Sequence, residues 1–157
     1  MHEEFIKDYF KFDCEPLANL DAMVVGECYR FTVLTSRLIR MEYAVDNKFQ
    51  DRPSQTFWFR SLPVPSFTVN NSNGVLSIET DALILTYRVG KPFSGSSLRI
   101  QIKASKKIWK YGQKDRGNLE GTARTLDGTS GFSFMEKGLM SKNGFIVVDD
   151  SKTLTFN

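Results

Sequence analysis

Apolar residues recur at every second position along much of this chain, in runs too short to be helices. Tyr29, Phe31 and Val33 alternate with Arg30 and Thr32. After a break at Thr35-Ser36, Ile39, Met41 and Tyr43 face opposite to Leu38, Arg40 and Glu42. The same period appears at Phe57-Trp58-Phe59, Phe67-Thr68-Val69, Leu76-Ser77-Ile78, Leu83 to Tyr87 and Leu98 to Ile102. A period of two puts successive side chains on opposite faces of a strand. Turn-forming clusters separate the runs: Asp46-Asn47, Asn71 to Gly74, Thr80-Asp81, and Gly90 to Gly95 with Pro92. Many short strands with hairpin-like breaks predict an all-β, antiparallel sandwich or barrel. We place that domain at 23–157, with Phe145 to Val148 and Lys152 to Asn157 as its last strands.

The first 22 residues read differently. Phe5, Ile6, Tyr9 and Phe10 are spaced as on one helix face, and Pro16 ends the segment. A short helix and an irregular arm fit equally well. The N-terminus lacks the basic start and apolar run of a signal peptide. No apolar run approaches the ~18 residues of a membrane span. We therefore expect a cytoplasmic protein, with Cys14 and Cys28 as free thiols. A length of 157 residues suits a single domain, and 13 Phe suit a β-rich core. The net charge of +3 implies neither a nucleic-acid nor a membrane partner.

The residues able to carry chemistry are few. His2 is the one histidine, which removes Ser-His-Asp and Cys-His catalysis and any His-rich metal site. The stretch Gly117 to Ser151 is glycine-rich and polar, with Leu126, Phe132, Phe134, Met135, Leu139 and Met140 as apolar anchors. It has neither of the phosphate-binding glycine motifs, and no cofactor is expected. Glycoside chemistry needs two carboxylates across one bond. Asp149 and Asp150 are adjacent and would point to opposite faces of a strand. Asp51 and Asp127 sit in loop sequence, where a turn or capping role is the plainer reading. Lys103, Lys106, Lys107, Lys110, Lys114 and Arg116 interleave with Trp109 and Tyr111. Such a pattern can bind single-stranded nucleic acid, but a solvated hairpin with lysines guarding a strand edge is favoured. Trp58 and Trp109 could stack on sugar, although their strand context favours the core.

Three separated stretches, in order, resemble the N-terminal β-sandwich of glycoside hydrolase family 31. They are YRFTVLTSRLIRMEYAVDNKFQDRPSQTFWFR (Tyr29 to Arg60), NLEGTARTLDG (Asn118 to Gly128) and KGLMSKNGFIVVDDS (Lys137 to Ser151). In relatives the last reads as a G-L-L-S-R-[DN]-G-W motif, a valine-rich strand and D-D-S. Here Met140, Lys142 and Phe145 stand where Leu, Arg and Trp are common, and Gln50 where Glu is.

The resemblance implies a galactose-mutarotase-like sandwich preceding a (β/α)₈ barrel. The barrel would carry the two catalytic aspartates of a retaining α-glucosidase or α-xylosidase. No catalytic residue is therefore expected among these residues. The implied role is to pack on the barrel and shape its substrate pocket. Arg124 and Asp127 are the candidates for the pocket rim, and Gly138 to Gly144 for barrel contact. The final residues read as a strand without a polar tail, as if cut from a longer chain. A sheet edge left unpaired in that way would recruit a second copy. The alternative is a stand-alone carbohydrate-binding sandwich using its exposed aromatics.

Overall fold

A computed structural model describes residues 13–121, 128, 130–131 and 133–156. The chain is all-β and antiparallel, as the alternation predicts. After a 3₁₀ turn at Leu20–Ala22 come β1 (Met23–Gly26), β2 (Tyr29–Thr35) and β3 (Leu38–Tyr43), which form a three-stranded sheet in that order. Then β4 (Phe67–Ser72), β5 (Val75–Thr80), β6 (Leu83–Arg88), β7 (Leu98–Ile102) and β8 (Ile108–Lys110) form a five-stranded sheet, again in chain order. The β4–β5 hairpin turns on Asn73-Gly74, both with positive φ (53° and 73°). That is the turn whose twist matches the flanking strands.

The core lies between the two sheets. Tyr29, Phe31, Val33 and Ile39 from the smaller sheet meet Leu76, Ile78, Leu85, Tyr87 and Leu98 from the larger. Thr80 Oγ1 fastens the sheets at one end by donating to Ser36 O at 2.6 Å. At another point Phe93, in the β6–β7 connection, folds back onto the core. Its ring lies within 5.3–5.6 Å of Phe31, Tyr43, Tyr87 and Tyr111. What looks like a turn in sequence thus supplies a core residue.

Three expected strands do not form. Phe57 to Phe59 makes only a bridge to Glu15, and Lys152 to Phe156 only a bridge between Thr155 and Ser54. Phe145 to Val148 joins no ladder among the described residues. Its β-branched residues satisfy local propensity, but propensity needs a neighbouring strand to become a sheet. Within the described part of the first 22 residues, the 3₁₀ turn is the helical structure.

Candidate functional site

The outer face of the small sheet is covered rather than wet. Arg30 and Thr32 alternate with core residues on β2, yet both are buried. The covering segment is 49–60. Arg30 donates through Nε to Glu42 Oε2 (2.7 Å) and through Nη2 to Asp51 Oδ1 (2.7 Å), and its guanidinium lies 4.9 Å from the Phe49 ring centre. Arg40 Nη2 reaches Glu42 Oε1 and the carbonyl of Gln50, both at 2.9 Å. Arg60 is 2% exposed. It donates to the carbonyls of Pro16 (3.1 Å), Gln50 (3.2 Å) and Arg52 (3.1 Å). Burial lowers the pKa of Arg40 and of Arg60. For Arg30, burial acts downward too, but the hydrogen bonds and charges of Glu42 and Asp51 outweigh it. A buried guanidinium is tolerated only with such partners. Glu42 and Asp51 each bind a guanidinium, so this cluster braces the sheet and offers no acid–base pair. The alternation rule assigns Arg30 to solvent, because it cannot see a covering segment that has no period of its own.

The second polar constellation zips two loop stretches together. Asn118 Nδ2 donates to Gly138 O and its Oδ1 accepts from Gly138 N, both at 2.9 Å. Leu119 N donates to Met140 O (2.9 Å) and Lys142 N to Gly117 O (2.8 Å). Asp115 Oδ1 accepts from Asn143 Nδ2 (2.7 Å) and Gly117 N (3.0 Å). Hydrogen bonding from Ser141, Asn143 and Gly117 holds the Asp115 carboxyl below its usual pKa. The glycines matter for room. A methyl group on Gly138 would lie 2.5 Å from the Glu120 carbonyl oxygen, and one on Gly117 would lie 2.6 Å from Asn143 Nδ2. An open cleft of about 440 Å³ beside this zipper is lined by Gln113, Lys114, Arg116 and Asn143.

Arg124 and Asp127, the rim candidates, lie outside the described residues, as does His2. Gly138 to Gly144 lies on the zipper. Trp109 is 5% exposed, on the core side of β8 opposite Ile100, and presents no face to a sugar. Trp58 is half-buried, with its ring edge-on to Phe156 at 5.7 Å. Lys103 pairs with Glu79 (2.7 Å), and Lys107 Nζ donates to Lys142 O (3.3 Å). The basic hairpin therefore spends part of its charge within the fold. Asp149 accepts from its neighbour Ser151, while Asp150 accepts from Ser54. The two adjacent carboxylates thus serve different local contacts. Cys14 and Cys28 are free thiols. Among the described residues no group of three or more His, Cys, Asp or Glu could hold a metal, and no helix is long and apolar enough to cross a membrane.

The remaining conspicuous feature is apolar. Leu139 (80% exposed), Met140, Ile146, Val147, Val148 and Leu154 all face outward. Ile146, Val147 and Val148 are consecutive, so both sides of this unpaired segment are apolar and accessible. The architecture defines the class: an antiparallel β-sandwich with an apolar C-terminal segment. No protein-family model matches the chain, and no curated protein matches its sequence.

Proposed function

We propose that this chain is the N-terminal, non-catalytic β-sandwich of a retaining α-glucosidase-type glycoside hydrolase, of galactose-mutarotase-like fold. Its task is to dock on a catalytic (β/α)₈ barrel and help shape the mouth of the substrate pocket. The observation that carries this reading is the exposed apolar run from Leu139 to Val148, fixed at its start by the Asn118–Gly138 zipper. A loop tied down at its start that presents leucine, methionine and valine outward is suited to be covered. The three family-like stretches supply the partner's chemistry. Two of them are the two sides of this zipper, and Arg124 and Asp127 lie between its two sides in sequence. Those two residues are the proposed rim of the pocket.

The test uses the complete gene product. It should hydrolyse p-nitrophenyl α-glucoside or α-xyloside, and proton NMR of the first product should show retained anomeric configuration. Asp127→Ala and Arg124→Ala should lower kcat/KM with an unchanged melting temperature. A gene product with no glycosidase activity towards these substrates overturns the assignment. A stand-alone sugar-binding module is less favoured, because the buried Trp109 removes one of its two aromatic platforms.

A further inference from the structure

The five-stranded sheet ends in two unlike edges. At one, β8 is three residues long, ends in the exposed Lys110 and follows the exposed Lys106 and Lys107. Short strands and lysines are the common devices that stop an edge from pairing with another chain. At the other, β4 has none of these. Its sequence, FTVNNS, contains no charge and no proline. Its register against β5 runs from Phe67↔Thr80 to Ser72↔Val75 without a bulge. Thr68 to Ser72 are exposed on both faces. Val69 is the telling residue. Its ladder partner Ile78 is fully buried, so Val69 points to the core side, yet it is 46% exposed. The smaller sheet does not reach over it. Among the described residues, only β5 pairs with β4.

We propose that β4 is a dimerisation edge. Two copies of this chain pair antiparallel along Phe67–Asn71, about a two-fold axis through Val69, and join their five-stranded sheets into one. An axis perpendicular to the sheet keeps both core faces on the same side. Residues that oppose one another must then share a face. Val69 meets Val69 of the second copy, Thr68 meets its Asn70, and Phe67 meets its Asn71. This register covers the exposed valines with each other and satisfies the free backbone groups of both edges. Charge selects the occupant. A charge at position 69 would face itself across the axis, and β4 carries no charge at any position. The nearest charge on its ladder, Glu79 opposite Thr68, is already paired with Lys103. A charged peptide would find no counter-charge here, whereas a second β4 needs none. This assignment is independent of the glycosidase reading.

Sedimentation velocity of the purified chain, from about 5 to 500 µM, tests it. A junction one strand long is small for a specific interface, so a dissociation constant on the order of 10–100 µM is expected. Val69→Lys places two ammonium groups at the axis and should weaken dimerisation at least tenfold. Val69→Cys should form a disulfide-linked dimer under mild oxidation, since paired strands hold opposed Cα atoms at disulfide distance. The unmodified chain, with Cys14 and Cys28, is its control. A chain that stays monomeric at ~500 µM overturns the proposal, even if it accepts a strand from another protein. So does a Val69→Lys variant that dimerises as before, or a Val69→Cys variant that crosslinks no more than the control.

Discussion

The Ser54 hydroxyl donates to Asp150 Oδ2 at 2.6 Å across 96 residues of sequence. Around it, Gln55 N donates to Leu154 O and Phe156 N to Pro53 O. These contacts strap the C-terminal segment over the same stretch that covers the small sheet. The next segment inward, at Arg60, holds Pro16, Gln50 and Arg52 by their carbonyls. Residues 50–60 are therefore the hub through which both ends of the described chain meet the sandwich.

Ser54→Ala should leave the partly buried Asp150 carboxylate short of a donor. The expected cost is about 1–3 kcal/mol, which for a domain of this size lowers Tm by roughly 2–12 °C. Hydrogen exchange should locate the damage, with the amides of Gln55 and Phe156 accelerating before those of β5. Unchanged exchange at both amides would show that the strap does not depend on this bond.

Arg60→Met removes the donors of three partly buried carbonyl contacts at once. A loss of about 2–4 kcal/mol is expected from urea unfolding, with the slope m unchanged. Arg60→Lys should recover only part of it, because an ammonium cannot reproduce the planar fork. Equal stability of the lysine variant and the parent would mean that charge alone suffices there.

Gly26→Ala tests the first hairpin. A methyl group at this position would run into the Tyr29 ring. That ring cannot retreat, since it packs on Phe31 (5.5 Å) and Tyr87 (5.0 Å) within the core. Overpacking of this kind costs about 1–3 kcal/mol. The readout is the melting temperature, together with the near-ultraviolet circular dichroism of the tyrosines.

The loop zipper should be acid-sensitive. Asp115 has a lower pKa folded than unfolded, chiefly through Ser141 and then Asn143 and Gly117. Its contribution is therefore complete above the unfolded value, ~4, and is lost as pH falls through the lower folded value. The Asn143 side-chain amide resonances, followed by NMR from about pH 6 to pH 2, should lose dispersion below that point. Asp115→Asn should abolish this pH dependence. A titration identical in variant and parent would assign the effect to another carboxylate.

Strands β2 to β7 were legible because burial on one face writes itself into sequence as a period of two. Tyr29, Phe31 and Val33, and Leu76 with Ile78, are clear examples. The misreadings share a cause. Phe145 to Val148 has the composition of a strand, but composition does not specify a partner, and in this fold the segment has none among the described residues. Arg30 follows the alternation correctly, yet its solvent side is closed by residues 49–60, whose packing is set by ion pairs and carbonyl contacts. Phe93 hides between Pro92 and Gly95, in what reads as a turn. The glycines and polar residues of the zipper are plain in sequence, but its pairing of Asn118 with Gly138 depends on close approach, which only the structure displays. The rim candidates Arg124 and Asp127 lie beyond the described residues.

The strap has a consequence for biosynthesis. A ribosome that has just made Ser54 and Arg60 has already supplied β1, β2, β3 and most of the hub. Asp150 arrives 96 residues after Ser54. Throughout that interval the nascent chain carries an arginine-rich face without its last carboxylate and without the residues that clasp it. The two sheets can meet as soon as β7 emerges, whereas the outer layer must wait for residues 150–156.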